Sequence, residues 1–192
     1  MIVMKAVVLG GTFNPVHIGH LHLAEEVLLD FDYERIIFIP SNIPAHKEIE
    51  DRVTPEDRIH MLELAISYHP AFSLDTCEIE RGGISYSIET VRYLKSKYGI
   101  DAKPGFIIGD DLIVGFPTWK NADLLSKEAR LIVAHRGYTE RLAFPYPHTY
   151  MDNQILPISS SDVRRRIRER TAVRFLLPAE IWQYIEAKGL YR

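Results

Sequence analysis

Residues Ala6 to His20 read AVVLGGTFNPVHIGH, and the secondary structure predicted for this stretch recurs along the rest of the chain. A short apolar run ends in Gly10 and Gly11, and a turn at Pro15 follows. The next segment, HLHLAEEVLLDF, repeats apolar residues at helical spacing. The stretch therefore predicts a strand, a tight turn and a helix, which is one unit of an alternating α/β chain.

The same alternation continues through the middle of the chain. ERIIFIP, PGFIIGDDL and RLIVAH are apolar runs typical of strands, and FSLDTCEIE alternates like a half-buried strand. A helix is predicted from Thr54, which has Pro55 at the first helical position and Asp57 three residues after the cap. SIETVRYLKSKYG reads as a helix closed by Gly99, and ADLLSKEA as another.

Near the end of the chain, QILPIS predicts a short strand, and SSDVRRRIRER and PAEIWQYIEAKGLY predict two helices, the second entered through Pro178. Strands alternating with helices predict an α/β, Rossmann-like, doubly wound and mostly parallel sheet with helices on both faces. Ligands of such sheets bind at the carboxyl ends of the strands. The length and the absence of a linker-like tract predict one domain over residues 1–192.

Composition excludes several classes of protein. With 23 basic and 26 acidic side chains, the formal charge of -3 gives no general attraction to nucleic acid or to anionic membranes. No apolar run approaches the roughly 20 residues that span a bilayer. Cys77 is the one cysteine of the sequence, which excludes an internal disulfide and fits a cytoplasmic location.

The two glycines and two histidines of the opening stretch predict an anion site. Gly10 and Gly11 let backbone N–H groups approach a ligand, and the following helix start offers unpaired donors and a partial positive charge. His17 and His20 are three residues apart, so both can face the same phosphate. The simpler alternative is that they only cap or solvate a helix.

Two other ligands fit this stretch less well. Neutral imidazoles on one helix face can hold zinc, but the sequence has no HExxH pattern and no cysteine nearby. The glycines do not match G-x-G-x-x-G, which disfavours a nicotinamide-dependent dehydrogenase.

GGTFNPVHIGH closely resembles the first signature of the nucleotidylyltransferase superfamily, and ISSSDVR, from Ile158 to Arg164, resembles its second signature. The letters HIGH also occur in class I aminoacyl-tRNA synthetases, but this chain is short for those enzymes and has no KMSKS-like segment. IPSNIPAHK, ISYSIETV, IIGDDL, FPTWKNADLL and YIEAKGLYR resemble segments of the bacterial nicotinate-nucleotide adenylyltransferases. The phosphopantetheine adenylyltransferases share the two histidines and a serine-rich second signature, but the segments around Tyr86 and Trp119 resemble the nicotinate family more.

The resemblance implies transfer of AMP from ATP to nicotinate mononucleotide, which gives deamido-NAD and pyrophosphate in NAD biosynthesis. It assigns ATP binding to Gly10, Gly11, His17, His20, Gly109, Asp111, Ser160, Ser161 and Arg164. His17, His20 and Arg164 are the expected catalytic residues among them. Because the attacking phosphate is already charged, catalysis can rest on positioning and on charge stabilisation.

The resemblance assigns the mononucleotide to Thr12, Phe13, His46, Lys47, Tyr86, Ser87 and Trp119. Trp119 matches a tryptophan that stacks on the pyridine ring, and Tyr86 and Ser87 match the segment beside its carboxylate. Simpler alternatives remain open: Trp119 as a core residue and the loop of His46 and Lys47 as mobile surface. Likewise, Ser159 or Ser160 can be only a helix cap, and Asp110 or Asp111 can cap a turn.

The chain departs from the family pattern at Asn14, where aspartate is usual, and any role resting on that carboxylate is in doubt. Ser87 and Ser161 stand where threonine is common. Mg²⁺ is the implied cofactor, carried with ATP, and no residue is named as its ligand. We expect no nucleic-acid or membrane partner and leave a homo-oligomer open.

Two rival functions remain. One is a nucleotidylyltransferase for another acceptor, such as nicotinamide mononucleotide or phosphopantetheine. The other is a noncatalytic nucleotide- or RNA-binding protein, suggested by Asn14 and by the run RRRIRER. Only Arg164 of that run is assigned to the site, because Arg165 and Arg166 point elsewhere on a helix.

Overall fold

The computed structural model describes residues 4–44, 53–100, 103–138 and 140–192. Its main sheet has six strands in the order β4-β2-β1-β6-β7-β8, and every described pair is parallel. These strands are β1 (Ala6–Gly11), β2 (Arg35–Pro40), β4 (Phe72–Leu74), β6 (Gly105–Gly109), β7 (Arg130–Ala134) and β8 (His148–Tyr150). A second, two-stranded parallel sheet pairs β3 (Ile43–Pro44) with β5 (Ile84–Ser85).

The α-helices are α1 (Ile18–Phe31), α2 (Pro55–Ile66), α3 (Cys77–Arg81), α4 (Ser87–Tyr98), α5 (Ala122–Glu128), α6 (Ser160–Glu169) and α7 (Ala179–Lys188). Short 3₁₀ turns cover Asp110–Leu112, Phe116–Thr118 and Arg174–Leu176. At α2, Thr54 and Asp57 form the predicted reciprocal capping box. At α4, Gly99 ends the helix in the left-handed conformation, also as predicted.

Helices cover both faces of the six-stranded sheet. Successive residues of β1 point to opposite faces: Val7 joins one buried cluster and Val8 the other. The first cluster includes residues of α1, α2, α6 and α7, and the second includes residues of α3, α4 and α5. The prediction of a doubly wound α/β sheet is confirmed.

One predicted strand is wrong, and another is longer than the strand in the structure. QILPIS is not a strand; the edge strand is β8, which lies earlier in the chain. In FSLDTCEIE only Phe72–Leu74 pairs with the sheet, and α3 follows. The carboxylate of Asp75 accepts the N–H of Cys77 at 3.0 Å, which turns the chain out of the strand and starts the helix.

The strand order places a topological switch point between β1 and β6. From β1 the chain winds to β2 and β4, whereas from β6 it winds to β7 and β8. Open α/β sheets bind ligands in the crevice at the carboxyl ends of the strands on either side of such a point. Here those ends are Gly11 and Gly109, so the two glycine-containing segments of the sequence meet at one crevice.

Candidate active site

The corner after β1 leaves room for a ligand beside the backbone. Gly10 is exposed, and a Cβ added there would meet nothing within 4 Å. The next residues turn inward: Thr12, Phe13 and Asn14 are all buried. The chain therefore passes from an open glycine into a tightly packed turn, which fixes the direction of the peptide groups at the crevice.

His17 and His20 lie together at the start of α1. Their ring centroids are 3.7 Å apart, and the backbone N–H of His17 donates to Nδ1 of His20 at 3.3 Å. Because Nδ1 of His20 accepts a hydrogen bond, the proton of its neutral ring belongs on Nε2. The ring of Phe13 packs edge-on against His20, with centroids 5.1 Å apart, and holds it in place.

His17 is 2% exposed, and neither ring nitrogen has a hydrogen-bond partner within the protein. Burial and, to a smaller extent, the positive charge of Arg136 lower the pKa of His17 to about 3. Gly19 makes room for this ring, because a Cβ there would lie 3.1 Å from Nδ1. A buried, neutral imidazole with unpaired nitrogens is suited to donate a hydrogen bond to an anionic ligand.

The lowered pKa of His17 predicts a pH dependence of stability. Between about pH 6.5 and 3, His17 is protonated in the unfolded chain but neutral in the folded protein. The free energy of unfolding therefore falls as the pH falls through this range. From about pH 7.5 to 5, the free energy of unfolding should fall by about 2 kcal/mol more in the native chain than in His17→Gln. Urea unfolding at both pH values measures this difference. Equal losses in the two proteins would contradict the account of His17.

Helix α6 is tied directly to the corner after β1. Ser159 caps the helix by accepting the N–H of Asp162, and the hydroxyl of Ser160 donates to the Pro15 carbonyl at 2.8 Å. Nη1 of Arg164 donates to the Asn14 carbonyl at 2.9 Å. The two sequence signatures, about 145 residues apart in the chain, are thus joined by hydrogen bonds.

The end of β6 brings Gly109 and Asp111 to the same crevice. A Cβ at Gly109 would clash with Oδ1 of Asp111, so a larger residue there would displace that carboxylate. The carboxylate of Asp111 is half-exposed and lies 3.8 Å from Nη1 of Arg136. Its neighbour Asp110 is buried and instead accepts the backbone N–H groups of residues 136–138 at 2.9–3.2 Å.

Sequence reasoning missed Arg136, although its position just after β7 was a usable signal. Its guanidinium is near enough to His17 to lower the pKa of that ring, and it also approaches Asp111. Because Asp110 fixes the backbone that carries it, Arg136 is a further cation held at the crevice.

Arg58 was also missed, and no local pattern marks it. This residue of α2 is 1% exposed, and its Nη1 donates to the carbonyls of Thr12 and Ser41 at 2.9 and 2.7 Å. Those two residues follow β1 and β2 respectively. Arg58 therefore connects the loop after β1 to the loop after β2 by hydrogen bonds.

Asn14, the departure from the family pattern, has a defined partner. Its side chain is buried, and Oδ1 accepts the hydroxyl of Tyr191 at 2.6 Å. A neutral amide oxygen thus anchors the C-terminal end of the chain to the turn.

A second part of the site is a cavity of about 580 Å³ beside the small β3–β5 sheet. Its lining residues are Ile84, Ser85, Tyr86, Ser87, Thr118, Trp119 and Lys120. The cavity brings together the predicted residues Tyr86, Ser87 and Trp119 from two distant segments. The indole of Trp119 rests on Phe116, with centroids 5.0 Å apart. His46 and Lys47 lie outside the described residues.

The basic run of α6 is largely paired within its own helix. Arg165 contacts Asp162 and Glu169, and Arg166 contacts Asp162. Ion pairs within one helix are typical of a solvent-exposed helix face, which is what the sequence predicts for Arg165 and Arg166.

Over the described ranges, no three or more His, Cys, Asp or Glu side chains are grouped so as to hold a metal ion. The charged groups near His17 include a cation, Arg136, which suits an anionic phosphate better than a metal ion. In the same part of the chain, no helix has the length and apolar character needed to cross a membrane.

Comparison with known proteins agrees with this geometry. The family model described as cytidylyltransferase-like matches residues 8–166. A probable nicotinate-nucleotide adenylyltransferase of Borreliella burgdorferi is 45% identical over 188 residues, which cover 98% of this chain and 97% of that protein. The corresponding protein of Treponema pallidum is 38% identical over 203 residues, with 98% and 100% covered.

Among solved structures, the nicotinic acid mononucleotide adenylyltransferase of Plasmodium falciparum, complexed with NaAD, superimposes with a TM-score of 0.81. The identity is 18%, with 98% of this chain and 97% of that chain covered. A structure of the same Plasmodium enzyme complexed with APC gives a TM-score of 0.79. At this identity, the likeness shows a shared fold.

Proposed function

This chain belongs to the cytidylyltransferase-like family and within it to the nicotinate-nucleotide adenylyltransferases, and we propose a role in that reaction for each part of its site. The reaction transfers AMP from ATP to nicotinate mononucleotide and gives deamido-NAD and pyrophosphate. The observation that carries the proposed roles is the contact between the two signatures, through Ser160 and Arg164.

The crevice is proposed to hold ATP. The backbone at Gly10 and Gly11, which is open at Gly10, and the rings of His17 and His20 supply donors to the phosphates, while Arg164 supplies charge. Asp111 accepts the ribose hydroxyls, and Gly109 gives its carboxylate the necessary room. Ser161 and the first turn of α6 face the same triphosphate. The hydroxyl of Ser160 is already used on Pro15, so its proposed contact is through the backbone.

The second cavity is proposed to hold the pyridine ring of nicotinate mononucleotide. Trp119 supplies an aromatic face, and Tyr86 and Ser87 lie where they can contact the ring's carboxylate. The phosphate of the mononucleotide then lies near Thr12 and Phe13. The ring of Phe13 is buried against His20, so Phe13 contributes its backbone N–H.

In the proposed step, an oxygen of the mononucleotide phosphate attacks the α-phosphorus of ATP. A new P–O bond forms, the bond from the α-phosphorus to the bridging oxygen breaks, and pyrophosphate leaves with the electron pair. The attacking oxygen carries charge already, so no residue needs to remove a proton. The chain's contribution is to align the two phosphates and to stabilise the charge that moves to pyrophosphate.

Divalent ions such as Mg²⁺ neutralise phosphate charge when they arrive with ATP. Since the described carboxylates do not form a metal site, no step of the proposal passes through a protein-bound metal.

The test is pyrophosphate release with ATP and Mg²⁺ in the presence of nicotinate mononucleotide, nicotinamide mononucleotide or phosphopantetheine, each in turn. We expect the highest kcat/KM with the nicotinate acceptor. Preference for phosphopantetheine would overturn the proposed roles of Trp119, Tyr86 and Ser87. Salt-dependent RNA binding without pyrophosphate release would favour the binding-protein alternative and overturn the whole proposal.

A further inference from the structure

Lys120 is the charged residue among the described residues that line the second cavity. The other lining side chains are apolar, aromatic or hydroxyl-bearing. Its Nζ lies 4.0 Å from the ring centroid of Tyr86, another lining residue, at a distance suited to a cation–π contact. This contact holds the ammonium beside the cavity wall, and the side chain of Lys120 is 45% exposed.

Glu89 holds the ammonium of Lys120 from the other side. Its Oε1 accepts from Nζ of Lys120 at 2.7 Å, and its Oε2 lies 3.6 Å from Nε of Arg81. The bond from Lys120 lowers the pKa of Glu89, so this carboxyl is ionised at neutral pH. One carboxylate is thus shared between two cations.

The ion pairs link Arg81, Glu89 and Lys120, and the buried carboxyl of Glu78 lies close enough to interact with Arg81 and Glu89. An ammonium has three N–H donors, and the bond to Glu89 uses one of them. The side chains of Lys120 and Glu89 are about half-buried, so solvent screens their charges only in part.

We propose that Lys120, oriented by Glu89 and Tyr86, is the residue that makes the cavity select a pyridine carboxylate over the corresponding carboxamide. The inference rests on the proposed binding of the mononucleotide in this cavity. The acid and the amide have nearly the same shape and differ by one negative charge. A fixed positive charge at the wall distinguishes them where stacking on Trp119 cannot.

The test compares kcat/KM for nicotinate mononucleotide and for nicotinamide mononucleotide in the native chain, Lys120→Met and Lys120→Arg. Lys120→Met keeps most of the side-chain volume and removes the charge. We expect the acid-to-amide ratio to fall about 10- to 100-fold, through loss of the acid reaction. Lys120→Arg should keep most of the ratio because it keeps the charge. Lys127→Met is the matched control, because Lys127 is exposed on α5 outside the cavity.

A loss of both reactions by the same factor in Lys120→Met would overturn the proposal and assign Lys120 a general structural role. An unchanged ratio would overturn it as well. Failure of the proposed function is distinct from both results, because the native chain itself would then release no pyrophosphate with nicotinate mononucleotide.

Discussion

Replacing His17 or His20 by alanine is expected to lower kcat about 100- to 1,000-fold, the effect of losing one donor to charge that develops in the transition state. The fold should remain intact, because neither nitrogen of His17 bonds to the protein and the hydrogen bond that His20 accepts, from the backbone N–H of His17 at 3.3 Å, is local to the start of α1. Steady-state pyrophosphate release and circular dichroism measure the two effects separately. The double variant should lose little more than the worse single variant, since the rings are in contact and act on one group.

His60→Ala is the matched control for these variants. His60 is a half-exposed histidine of α2, away from the crevice, and its replacement should leave kcat nearly unchanged. Near-native turnover in both His17→Ala and His20→Ala would contradict the proposed role of the corner after β1.

Replacing Arg58 by alanine is expected to reduce the free energy of unfolding by about 3 kcal/mol or more. The change leaves the carbonyls of Thr12 and Ser41 without their buried donor and opens a cavity under the crevice. Because the Thr12 turn would then relax, kcat/KM should also fall by more than about 100-fold. Urea unfolding and pyrophosphate release report these two losses.

Arg174→Ala provides the comparison, because Arg174 is an exposed arginine at the start of the 3₁₀ turn Arg174–Leu176. Arg174→Ala should change neither the free energy of unfolding nor kcat/KM measurably. Arg58→Lys should lie between the native chain and Arg58→Ala, since an ammonium can reach one carbonyl but does not reproduce the guanidinium's geometry. Native stability and turnover in Arg58→Ala would show that the buried guanidinium does not hold the loops.

Much of the fold could be predicted from local signals. The apolar run before Gly10 and the capping pair Thr54 and Asp57 are short-range features, and the structure confirms both elements. The QILPIS prediction was wrong because apolar residues can be buried without pairing in a sheet. Ile158, for example, packs against the first core cluster from an irregular segment.

The candidate site could be predicted only where its residues belong to a motif. Both signatures can be recognised in the sequence, but the hydrogen bond that joins them, from Arg164 to Asn14, forms only in the tertiary structure. The role of Arg58 could not be predicted, because its partners are backbone carbonyls, which every residue carries. No local pattern marks Lys120, because its partner Glu89 lies 31 residues earlier in the chain.

Adenylyl transfer itself is tested with ATP radiolabelled at the α-phosphorus, incubated with Mg²⁺, nicotinate mononucleotide and the native chain. Transfer of AMP predicts that the label moves into deamido-NAD, while the pyrophosphate released is unlabelled. Label that remains in ATP, or that appears in ADP with no labelled dinucleotide, would contradict adenylyl transfer by this chain.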